Sequence, residues 1–141
     1  HYGQGISTLS AFFFFFSNNA AHPANGLAAL YLATGQDIAN IGESNQCTTY
    51  NKVTREGDYY FSITLPALIL ATYGGGTALP TQHECLQIMD CFGPGKALKL
   101  AEIAASLVLA GELSLGAAAK IDQKTRTNEW VDAHERLGRN R

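Results

Sequence analysis

The sequence predicts an α+β fold, and three observations carry that expectation. Apolar residues recur at helical spacing from Pro23 and again over Lys96–Lys120. An aromatic and β-branched run, "DYYFSITL", follows a turn-like "REGD", and the breakers "GGG" and "GPG" punctuate what comes after it. Helices combined with a short strand pair argue for α+β over all-α. With 141 residues the chain is long enough for one domain with a real core, and 46% hydrophobic against 16% charged residues places it with folded globular proteins.

Along the chain, the first feature is "ISTLSAFFFFFS", Ile6 to Ser17, whose five adjacent phenylalanines fit neither the helical nor the strand period. Residues 1–17 are set apart as an atypical low-complexity segment. The preferred reading is that the run is not native protein sequence, because pyrimidine-rich codons translated from an intron end or a slipped frame look like this; a buried strand is the other reading. The first residue is His1 and not Met, so the chain is expected to be a fragment or a processed product.

From Pro23, suited to a first helical turn, Leu27, Ala28, Leu30, Tyr31 and Ile38 form an apolar stripe, with Gly35 inside the run as a point of kinking or loosening. Asp58–Leu65 reads as a strand, and "ALILATY" extends past Pro66 as a second extended segment that leads to the glycines. Pro80 opens a helix through "TQHECLQIMDCF", closed by Gly93–Gly95. In the long helix Lys96–Lys120, Leu100, Ile103, Leu107, Leu113 and Leu115 recur at helical spacings, and the alanines suggest close packing. A polar connection, "IDQKTRTN", then leads to a short terminal helix, "EWVDAHERLG", with Thr127 or Asn128 as N-cap.

Composition excludes several function classes. A net charge of −2 with a pI near 6.1 implies no field strong enough to gather nucleic acid or an anionic membrane. The basic end, with Arg136, Arg139 and Arg141, reads either as a solvated helix end or as a contact to a phosphate-bearing ligand. Three cysteines, Cys47, Cys85 and Cys91, are an odd number without a CxxC, so a reducing compartment fits better than a disulfide framework. The longest all-apolar stretch, Ala11–Phe16, is far too short to span a bilayer.

The residues permit some chemistry on their own. Gly74, Gly75, Gly76 and Thr77 form a "GGGT" loop whose backbone N–H groups could meet an anion, yet neither GxGxxG nor GxxxxGK[ST] is present. A ligand-contacting loop and a tight structural turn both remain open there. Asp37, in "ATGQDIAN", sits in an apolar helical setting where desolvation of a carboxylate suits proton chemistry, with a partner-satisfied or surface aspartate as the alternative. Glu112, in "LVLAGELSL", reads better as a carboxylate that pins a helix. Of the four histidines, His134 stands near the end of the chain, placed like a mobile acid, and no HExxH or paired-His spacing supports a metal.

Taken together, "ATGQDIAN", "GGGTALPTQ", "VLAGELSL" and "AHERLGRN", with "NNAAHPANGLAALYLATGQDIAN" leading into the first, resemble one family. The likeness is to the C-terminal part of the catalytic domain of class I 3-hydroxy-3-methylglutaryl-coenzyme A reductases, in the right order from about Asn18 to Arg139. The resemblance implies that residues 18–141 are part of the large, substrate-binding domain, the small cofactor domain lying upstream. It implies NADPH-dependent reduction of the thioester to mevalonate in two hydride transfers, with release of coenzyme A. Asp37 matches the catalytic aspartate, and His134 matches the histidine on a mobile tail that protonates the departing thiolate. His22 and Asn25 match positions lining the hydroxymethylglutaryl pocket; Gly74, Gly75, Gly76 and Thr77 match the loop near the nicotinamide cofactor. The resemblance also implies a homodimer or tetramer for the full enzyme, and a cytoplasmic location or, in a eukaryote, an anchor in the endoplasmic reticulum.

Departures from the family pattern are visible. "NAAH" carries two residues between asparagine and histidine where the family carries one, and "IDQKTRTNEWVD" is longer than the usual link to the tail histidine. The family's catalytic lysine and glutamate precede the stretch matched here, so the chain alone is expected to be inactive. Two other classes stay open: a truncated pseudoenzyme that keeps the packing surface without chemistry, and a small anion- or nucleotide-binding module built on Gly74–Thr77.

Overall fold

The computed structural model describes residues 20–120, with side chains described through residue 117. The phenylalanine run, the connection after Lys120 and the expected terminal helix with His134 lie outside the described residues.

Helix α1, Pro23–Thr34, begins with proline in its first turn and buries Leu27, Leu30, Tyr31 and Thr34, the i, i+3, i+4, i+7 stripe of a one-sided helix. It ends where Gly35 takes a left-handed conformation (φ 71°), and the Gln36 N–H reaches back to the Tyr31 carbonyl at 3.0 Å. Gly35 therefore terminates the helix; it does not kink one that continues to Ile38. A 3₁₀ turn, Ile38–Asn40, and a single helical turn, α2 (Ile41–Ser44), follow.

Strands β1 (Thr48–Val53) and β2 (Tyr59–Thr64) pair antiparallel, with Thr48 opposite Thr64 and Val53 opposite Tyr59. Asp58–Leu65 was expected as a strand, and Tyr59–Thr64 is one. Its partner differs from expectation: the ladder is made with Thr48–Val53, while "ALILATY" forms no strand. Pro66 explains part of this, since proline lacks the N–H that a ladder requires, and "TREGD" closes the hairpin by the Thr54 N–H bonding the Asp58 carbonyl at 2.7 Å.

A second 3₁₀ turn, Gly75–Ala78, leads into α3 (Pro80–Ile88), which stops short of the expected Phe92 where Asp90 takes a positive φ (51°), and the long helix α4 spans Ala97–Lys120. Leu27, Leu30 and Tyr31 of α1 share a core with Ala104 and Val108 of α4 and with Cys47; Ile63, Leu65, Leu68 and Leu70 pack around them. Leu86, Cys91 and Leu100 form a second cluster, joined to the first through Leu70 and Met89. The buried seam of α4 is thus Leu100, Ala104 and Val108, at i, i+4, i+8. Of the leucines expected to form its stripe, Leu107, Leu113 and Leu115 are 38%, 40% and 45% exposed. Alanine wins the seam because a small side chain lets the two helix axes approach. By length and composition alone Ala97–Ala117 could cross a membrane, although its central seam is spent on this core.

The asymmetry of α4 is measurable. Leu27→Ala, at a fully buried position, should cost about 2–5 kcal/mol in urea denaturation of the 141-residue chain, whereas Leu107→Ala should cost about 1 kcal/mol or less.

Candidate functional site

The exit of α1 and the glycine loop meet backbone to backbone. A Cβ built on Gly35 would collide with the Gly76 carbonyl, and one built on Gly76 would lie 2.7 Å from the Gly35 oxygen. Only glycine at both positions permits this approach. Side chains then suspend the irregular stretch Ile69–Thr77 across α1 and α2. The Tyr31 hydroxyl donates to the Ile69 carbonyl at 2.5 Å, Ser44 Oγ accepts the Ile69 N–H at 3.0 Å, and buried Thr77 donates from Oγ1 to the Gly74 carbonyl at 2.6 Å. Gln36 accepts the Ala71 N–H at 2.7 Å and donates to the Ala71 carbonyl at 2.8 Å.

These contacts frame an open cleft of about 540 Å³ between α1 and the glycine loop; Asp37, Asn40, Tyr73 and Gly74–Gly76 are among its walls. Asp37 is exposed and lies outside α1. Its Oδ1 accepts the Ala39 N–H at 2.9 Å and so caps the 3₁₀ turn. The apolar helical setting expected for this carboxylate is therefore not what surrounds it: the helix has already ended at Gly35. Gly74 and Gly75 take φ values of 81° and 56°, and nothing stands within 4 Å of where their Cβ atoms would be. The loop presents bare backbone to open space on this side.

A family model, described as hydroxymethylglutaryl-coenzyme A reductase, matches residues 10–139. The chain belongs to this family. Reductases of that name from Methanocaldococcus jannaschii and Aeropyrum pernix are 48% and 50% identical to it over 120 and 124 residues, each match covering 84% of this chain and 28% of the relative. One from Strongylocentrotus purpuratus is 46% identical over 103 residues, covering 67% of this chain and 11% of the relative. The chain thus spans less than a third of the length of these relatives.

Within this reductase segment, the residues singled out from the sequence fall into two places. Asp37 and Gly74–Gly76 share the cleft, and Thr77 is buried beneath it. His22 and Asn25 lie at the opposite end of α1, a helix of 12 residues and about 18 Å in length. Asn25 is exposed there. The His22 ring is wedged between Gly26 and Gly111, so closely that a Cβ on either glycine would strike it. Its Nδ1 is buried and has no hydrogen-bond partner among the described residues. Glu112 secures the same helix start: its Oε1 accepts the Ala21 N–H at 2.7 Å and the His22 N–H at 2.5 Å. A carboxylate pinning a helix was the expectation for Glu112, and at an N-terminus its charge also complements the helix dipole.

Sequence reasoning missed Gln36, Asn40 and Tyr73. Gln36 had a signal, its place beside Asp37 in "GQD", but periodicity cannot say which backbone an amide will meet across the fold. His83 packs against Phe92 with ring centroids 4.0 Å apart and planes tilted by 60°, and no group of three metal-ligating side chains occurs among the described residues.

The three cysteines are free, and Cys47 is buried. Burial, and secondarily the charge of Glu112, push the Cys47 thiol up from 9.0 to about 11, against a backbone hydrogen bond with Thr64 that pulls the other way. Burial likewise raises Tyr31, opposed by its hydrogen bonds with Ser44 and Ile69. The raised thiol has a definite sign: ionisation favours the unfolded chain, so its contribution is complete below about pH 9 and is lost as pH climbs through about 11. The urea midpoint should fall across that window, and Cys47→Ala should flatten part of the fall, with Tyr31 acting in the same direction.

Proposed function

We propose that this chain supplies the aspartate and the cofactor-facing glycine loop of an enzyme that reduces 3-hydroxy-3-methylglutaryl-coenzyme A to mevalonate and coenzyme A with NADPH. The observation that carries the reading is that the exposed Asp37 carboxylate and the open face of Gly74–Gly75 share one cleft in a chain of this family. The bare backbone there suits a flat nicotinamide, because no side chain stands between it and the loop. NADPH, when bound, supplies the hydride.

The chain's own residues have separable tasks. Asp37 is held by the Ala39 N–H on one oxygen, so its direction is set by backbone. As the thioester carbonyl carbon gains hydride, that oxygen becomes anionic, and a carboxyl group sharing a network with a lysine and a glutamate stabilises and protonates it. Carbon–sulfur cleavage then releases coenzyme A thiolate and leaves an aldehyde, whose reduction gives the alcohol. His134 gives the thiolate its proton: the thiolate of a thiol with pKa about 8.5 takes a proton readily from an imidazolium of about 6.5, and the resulting thiol is a poor nucleophile for return. The family resemblance assigns His22 and Asn25 to the acyl pocket; in this chain they stand at the other end of α1 from Asp37, so any substrate contact they make is separate from the Asp37 cleft. The homodimeric or tetrameric enzyme, its cytoplasmic or membrane-anchored location and the choice of NADPH belong to the same proposal.

In a complete enzyme carrying this segment, Asp37→Asn should lower kcat by about 10²-fold or more for both hydride transfers, read by nicotinamide absorbance. Retention of most turnover would overturn the reading. His134→Gln should slow thioester reduction while sparing reduction of free mevaldehyde; equal losses would remove the role given to His134.

A further inference from the structure

We propose that Gln36 is a positioning residue of the cleft, whose side-chain amide holds the glycine loop and Asp37 in one frame. The inference rests on the reductase reading for its catalytic consequence, but its structural content is independent of it. Gln36 Oε1 accepts the Ala71 N–H at 2.7 Å, and Nε2 donates to the Ala71 carbonyl at 2.8 Å. Both backbone groups of one residue are thereby paired with a single primary amide, as a neighbouring strand residue would pair them. Nε2 also reaches the Thr34 carbonyl at 3.3 Å, tying the amide to the last turn of α1.

The position of this clamp gives it leverage. Residues 65–74 contain no helix or strand, so Ala71 has no regular ladder to fix it. Three residues later the chain enters Gly74 and Gly75, which resist few conformations. On the other side, Gln36 is the immediate neighbour of Asp37 and follows the left-handed Gly35 that touches Gly76. Two ties join the residues just after α1 to the stretch Ala71–Gly76: the Gly35–Gly76 contact and the Gln36–Ala71 pair. The first excludes bulk and sets a distance. The second is directional and sets the register, so without it the carboxylate and the loop would keep their separation and lose their relative orientation. Gln36 touches no reacting atom in this role; it acts through Ala71 and Asp37.

The test has a structural arm and a kinetic arm. In the full 141-residue chain, amide exchange of the 71–79 stretch is compared for wild type, Gln36→Ala and Gln36→Glu, with Val108→Ala as a control that weakens the core away from the cleft. Gln36→Ala should speed exchange at Ala71 and Gly74–Thr77 by about tenfold or more, and Val108→Ala should not do so selectively. Gln36→Glu keeps an acceptor for the Ala71 N–H and sets an oxygen against the Ala71 carbonyl, so Ala71 should stay protected while the glycines exchange faster. It also carries the test should Gln36→Ala fail to fold. In a complete enzyme with this segment, Gln36→Ala should raise the dinucleotide KM and lower kcat by about tenfold each, with thioester KM unchanged. A loop that exchanges as in wild type in both variants overturns the proposal. Faster exchange together with full turnover in Asp37→Asn would leave the clamp standing and overturn the reductase reading instead.

Discussion

The contact between Gly35 and Gly76 is the constraint on which the site depends. Two backbone segments distant in sequence approach so closely that neither position has room for a methyl group. One glycine ends α1 in a left-handed turn, and the other lies within the 3₁₀ turn before α3. Because both turns are fixed by the same contact, the direction in which Asp37 leaves the helix and the direction in which the glycine loop faces are set together. The surrounding hydrogen bonds from Tyr31, Gln36, Ser44 and Thr77 satisfy backbone groups that no regular ladder reaches.

The opposite end of α1 is governed by a different logic. There Glu112 meets two N–H groups of the helix start, and the His22 ring occupies a slot that exists because Gly26 and Gly111 carry no side chain. Helices α1 and α4 are therefore locked at one end by charge and ring packing, and along their middle by Leu27, Leu30, Ala104 and Val108. The cleft lies at the other end, beside the exit of α1. This division leaves the chemistry on loops held by a firm scaffold, the usual placement for groups that must meet a ligand.

Much of the secondary structure could be read from local pattern. Pro23 and Pro80 mark helix starts, and the alanine-rich run from Ala97 has no other reading; α3 was expected to run to the GPG breaker and instead ends at Ile88. The hairpin was half legible: Tyr59–Thr64 has strand composition, whereas Thr48–Val53 carries Asn51 and Lys52 and declares itself only when paired. The apolar stripe of α4 was misread because leucine was weighted over alanine, and helix packing selects for size as well as apolarity. Asp37 was expected within a helix because Gly35 looks like an interruption, and only its left-handed φ shows it to be an end.

By itself, the sequence determined the α+β class, the family, and which residue types stand near one another along the chain. Short motifs do this because local spacing and turn chemistry are encoded within a few residues. Only the tertiary structure decided that Asp37 shares a cleft with the glycine loop, that His22 is enclosed at the far end of the same helix, and that Gln36 pairs with Ala71. Those relations join positions separated by up to 90 residues, as in the bond from His22 to Glu112. They follow from which surfaces can pack without colliding, a property of the assembled backbone that no local pattern contains.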